Sequence, residues 1–74
     1  MITNQRKYCA VAMLANLNAV RQAEQSNLFY HRAYAEGMVA GFFHADILGA
    51  RAFIALQELV RNAYATRAKE LSDV

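Results

Sequence analysis

Glu24, Asn27 and His31 fall on or beside one helical stripe with Leu17 and Met38, so three polar groups interrupt an otherwise apolar seam. A glutamate and a histidine can act as general base and acid only when they converge within hydrogen-bond reach. On one helix these two stand two turns apart, about 10 Å along the axis, and could meet only across a subunit interface. A polar residue in a helical seam fixes alignment and oligomeric state at some cost in stability. Glu24 and His31, with Met13, Leu17 and Val20, are therefore expected to set the register of a dimer seam.

His31, Glu36, His44 and Asp46 are the remaining groups with metal-ligating chemistry close together in sequence. Di-metal helical bundles use Glu-x-x-His on their helices and zinc proteases use His-Glu-x-x-His, and the chain has neither spacing. No metal and no cofactor is expected. Cys9 sits between Tyr8 and Ala10 in an apolar helical run with no histidine or basic cradle beside it, which suits a small packing residue rather than a nucleophile. Gly37 and Gly41 lie four apart, where each costs a helix about 1 kcal/mol relative to alanine. The pair lacks the preceding strand and the Lys-Ser/Thr of a phosphate loop. Small residues at that spacing let a second backbone approach, so both are expected to form a packing groove for the next helix. With no catalytic constellation in view, the chain is expected not to be an enzyme.

From Leu28 to Phe43 apolar groups point to nearly every side, separated only by Arg32, Glu36 and small residues. One neighbouring helix cannot bury all of them. Phe29, Tyr30 and Phe43 are accordingly expected to include exposed anchors for another protein, aromatic anchors being enriched at interface hot spots.

The elements that must carry these residues are helical throughout. Thr3 or Asn4 can cap a first helix starting near Gln5. From there Met13, Leu17, Val20, Leu28, Ala35, Met38, Phe42 and Ala45 recur at three, four, seven or eight positions, one stripe on one helix. The stripe keeps phase across Gln22 to Asn27, where neither glycine nor proline occurs, so a single helix over 4–45 is expected. The alternative is a new helix capped by Ser26-Asn27, which gives a three-helix bundle. At 46–49, Asp46 can take the left-handed conformation that ends a helix, Ile47 can pack back on the last turn, and Gly49 can cap the next helix. A second amphipathic helix over 50–71 follows, with Ala52, Phe53, Leu56, Leu59, Val60, Ala63, Tyr64 and Leu71 inward, and Ser72-Asp73-Val74 is expected to be a disordered tail.

These lengths do not match. A helix over 4–45 spans on the order of 60 Å and one over 50–71 about 30 Å, so half of the first is left uncovered. A single 74-residue domain has a marginal core, and its one cysteine permits no internal disulfide. The expected architecture is therefore an all-α helical hairpin that forms a homodimer, an antiparallel four-helix arrangement in which the projecting halves cover each other. No run reaches the roughly 20 apolar residues of a membrane span, and a lone thiol suits the cytoplasm.

Eight basic and six acidic residues are scattered along the chain for a net charge of +2, too weak a signature for nucleic acid. The function these features imply is a small non-enzymatic interaction module that inhibits or regulates a larger protein complex. In overall character the chain resembles the very small helical accessory proteins encoded by phages and mobile elements, including anti-CRISPR proteins and anti-activators of transcription. That likeness rests on size and composition, and no residue role is carried over from it. The alternative is a dimeric nucleic-acid-binding transcriptional regulator presenting Arg6/Lys7 or Arg61/Arg67/Lys69 to phosphates, against which stand Glu58, Glu70 and Asp73 and the lack of a reading helix.

Overall fold

In the computed structural model the stripe that reads as one long helix is divided between two. Residues 2–73 are described, with side chains from Gln5 onward. Helix α1 runs Ile2–Arg21, a single 3₁₀ turn follows at Gln25–Asn27, α2 runs Leu28–His44 and α3 runs Ala50–Ser72. The expected continuous helix over 4–45 is thus corrected to two helices, and the three-helix alternative is the one observed. Because α1 already begins at Ile2, Thr3 and Asn4 lie within its first turn rather than at an N-cap before Gln5; their side chains, and all of Val74, lie outside the described residues.

Periodicity misled for a physical reason. Two antiparallel helices that face one core present stripes in the same phase, so Val20 before the break and Leu28 and Ala35 after it are all buried without sharing a helix. At the break Gln22 still donates to the carbonyl of Asn18 at 3.0 Å, but Ala23 donates to Val20 at 3.3 Å, tightening the last turn. Asn27 then folds back, its Oδ1 accepting from the Glu24 amide at 2.9 Å while its own amide donates to the Glu24 carbonyl at 3.1 Å. Arg67 of α3 donates to the carbonyl of Ala23 at 2.7 Å and holds this corner against the third helix.

The turn between α2 and α3 follows the local chemistry. Asp46 adopts a φ of 61°. The amide of Ile47 donates to Phe42 at 3.0 Å and that of Asp46 to Phe43 at 3.1 Å, the paired bonds of a Schellman C-cap. Ile47 and Phe42, the two positions whose contact accompanies this motif, both pack on the core. Gly49 occupies the N-cap of α3, its carbonyl accepting from Phe53 at 2.9 Å.

α1 and α3 run parallel, with α2 antiparallel to both. The core joins Cys9, Met13, Val20 and Ala23 to Leu28, Ala35 and Val39 and to Val60 and Ala63. At 20, 17 and 23 residues the helices are of comparable length, about 25–35 Å. The mismatch that required projecting halves is gone, and with it the basis for an antiparallel four-helix pairing of long arms. No helix among the described residues is long and apolar enough to cross a membrane.

Candidate functional site: two open apolar faces

Apolar residues occur around the whole circumference of α2, so burying one side leaves another exposed. Ala35 and Val39 point to the core, whereas Tyr30, Ala33, Tyr34, Gly37, Gly41 and His44, at helical spacing on the opposite side, are exposed. Phe29, Tyr30 and Tyr34 are 69%, 64% and 52% exposed. The rings of Tyr30 and Tyr34 lie 6.3 Å apart, and Tyr30 meets His31 edge-on at 5.3 Å, so the three make one aromatic ledge. Arg32, paired with Glu36 at 3.3 Å, lies 4.5 Å over the ring of Tyr64 and ties the ledge's inner border to α3.

Several expected roles need correction against this geometry. Gly37 and Gly41 do not form a groove for the following helix. A Cβ built on either meets nothing within 4 Å, because both lie two positions beyond core residues Ala35 and Val39 and so point about 200° away from them. Phe43 is not an exposed anchor. It is half-buried and stacks on Phe53 at 4.4 Å with planes 20° apart, closing the α2–α3 turn. Tyr34 takes its place on the exposed face, and its spacing of four from Tyr30 was the available signal.

Met13 and Val20 do not form a seam between copies, since both are buried within the single chain. Leu17 is half-buried, packing on the same core. Glu24 is exposed at the corner, and His31 is half-buried beside Tyr30. The polar group inside the α1–α2 seam is instead Asn16, whose Nδ2 donates to the Ala12 carbonyl at 2.7 Å and to the sulfur of Met38 at 3.1 Å. Its position between Met13 and Leu17 on the α1 stripe could have marked it.

The second open face lies between the parallel helices α1 and α3. A groove of about 420 Å³ begins near Arg6 and is walled by Ala10, Met13 and Leu14 on one side and Ala52, Ala55 and Leu56 on the other. Leu14 stands on its rim, 61% exposed. Farther along, the same interhelical trough is lined by Arg21, Leu59, Asn62 and Thr66, and then by Gln22 and Glu70. It is thus apolar toward the α2–α3 turn and polar toward the α1–α2 corner. Ala52 and Leu59, expected to face inward, line this trough.

Cys9 lies at the floor of the apolar half, 4% exposed, and burial pushes its thiol above the ordinary value. A thiol held protonated is a poor nucleophile. Among the described residues no three His, Cys, Asp or Glu side chains gather in metal-binding geometry. Comparison of the chain with protein-family models, with curated proteins and with solved structures returns no match.

Proposed function

We propose that the chain is a non-enzymatic protein-interaction module, a homodimer in the cytoplasm whose α2 face docks on a larger protein and inhibits or regulates it. The observation that carries this reading is the aromatic ledge around Tyr30 and Tyr34, with Phe29 exposed on the same helix, which stays in water while smaller residues fill the core. Three adjacent aromatics on one helix are costly to leave wet, and tyrosine hydroxyls tolerate water in the free state while the rings supply contact area in a complex. The ledge continues into Gly37 and Gly41, where a partner backbone can come close without meeting a side chain.

The test is to identify the bound protein by cross-linking from Tyr30 or Tyr34 positions, purify it, and measure its affinity for wild type, Tyr30→Ala and Tyr34→Ala. Hot-spot aromatics cost about 2 kcal/mol or more on truncation, so each variant should bind at least roughly thirtyfold more weakly while keeping wild-type melting. Equal affinity for all three would overturn the docking face. Tight binding to duplex DNA that is lost steeply with salt would instead favour a phosphate-binding regulator.

A further inference from the structure

The trough between α1 and α3 is a second surface, remote from the aromatic ledge, and its lining bears on the dimeric part of the proposed function, on which this inference rests. The chain exposes 5427 Å². A folded monomer of 8.3 kDa exposes about 4,600 Å². The excess, roughly 800 Å², is spread over the whole chain, the α2 ledge included, and is comparable to one partner's share of a standard protein–protein interface, about 800 Å². The molecule is also drawn out, 45 × 18 × 14 Å, with a radius of gyration of 12.9 Å where about 11 Å is usual for this length.

We infer that a second copy of the chain seats on the α1/α3 face, forming a twofold dimer whose axis runs along the bundle, with α1 of each copy beside α3 of the other. The face is self-complementary. Its holes are walled by alanines, Ala10, Ala52 and Ala55, and its knobs, Leu14 and Leu59, stand on the rims of the same trough. Leu14 and Ala55 line the same stretch of the groove within one chain, and rotation about an axis parallel to the helices preserves level. Leu14 therefore enters the alanine-walled hole beside the partner's Ala55, and the partner's Leu14 does the same in return.

Polarity along the trough selects this axis over a perpendicular one. An antiparallel pairing over the full length would lay the apolar half of one copy on the Arg21, Asn62 and Thr66 half of the other. The parallel pairing keeps apolar against apolar, and brings Arg21 level with the partner's Glu70 at the polar end.

Sedimentation of the full chain at micromolar concentration tests the inference. A mass twice 8.3 kDa is expected for wild type, and for Tyr30→Ala as a control on the other face. Leu14→Glu and Ala55→Glu should each stay helical by circular dichroism yet weaken dimerisation more than tenfold, because each buries an unpaired carboxylate. Spin labels on Lys7→Cys in a Cys9→Ala background fix the axis, with a short label-to-label distance for the parallel dimer and one approaching the 45 Å molecular length for the antiparallel dimer. A wild-type monomer overturns the dimer itself. A dimer indifferent to both glutamates overturns this face, and a long label distance overturns the axis. None of these outcomes touches target docking on α2, which fails separately if Tyr30→Ala and Tyr34→Ala bind the purified target unchanged.

Discussion

Arg67 of α3 donates through Nε to the carbonyl of Ala23 at 2.7 Å, joining the corner between the first two helices to a residue 44 positions later. That carbonyl lies just past the end of α1, where helical carbonyls lose their internal partners. The guanidinium satisfies it and also reaches Glu70 at 3.3 Å. Charged hydrogen bonds of this kind are worth about 1.5–3 kcal/mol, less where the side chain keeps some contact with water, as Arg67 does. Arg67→Ala should lower stability by about 1–2 kcal/mol, and thermal melting should fall by about 4–8 °C per kcal/mol in a domain of this size. Glu70→Ala removes only an exposed ion pair and should change melting far less. Equal losses from the two variants would mean that the Ala23 contact contributes nothing.

Gly37 and Gly41 should behave as exposed helix-interior glycines. Each replacement by alanine is expected to stabilise the fold by roughly 0.5–1 kcal/mol, since the added methyl meets open space and the unfolded chain loses freedom. If the face also docks a partner, the same alanines should weaken the complex while raising the melting temperature. A drop in melting for Gly37→Ala would show a close contact at that position.

Asp46 is the described non-glycine residue with positive φ, at 61°. Asp46→Gly should be neutral or mildly stabilising, and Asp46→Val should cost about 1–2 kcal/mol because a β-branched residue resists the left-handed region. Denaturant unfolding of the two variants side by side gives the difference directly.

Phe43 and Phe29 should separate in opposite ways. Phe43→Ala breaks the stack on Phe53 and should cost about 2 kcal/mol or more, whereas Phe29→Ala should change stability by about 0.5 kcal/mol or less. Comparable losses would place Phe29 against structure that the single chain does not provide.

Cys9 gives the chain a pH signature at the alkaline end. Its thiol keeps its proton to higher pH when folded than the ordinary value of 9.0, so ionisation favours the unfolded chain. Stability from this group is fully present below that value and is lost as pH rises through the raised folded pKa. Wild type should therefore lose more stability than Cys9→Ala between neutral and strongly alkaline pH. Alkylation of the native thiol should be slow and should accelerate on adding denaturant. Rapid native labelling would contradict the burial.

The legible parts of this protein were those written in a few neighbouring residues. Asp46, Ile47 and Gly49 announce the α2–α3 turn because a Schellman cap needs only local hydrogen bonds, a tolerated left-handed residue and an apolar residue to fold back. The stripe of Phe53, Leu56, Val60 and Ala63 likewise marks the buried side of α3. The bend at Gln22–Asn27 was not legible in the same way. Its Asn27 cap is weak as a local signal, no glycine or proline forces it, and Arg67 holds it from 44 positions away. Periodicity reports only that a residue faces apolar surroundings, and it reads the same whether two segments lie end to end or side by side. For that reason the outward direction of Gly37 and Gly41, the stacking of Phe43 and the open α1/α3 trough were decided by tertiary packing, which chooses where each helix folds back and so which side of it is left in water.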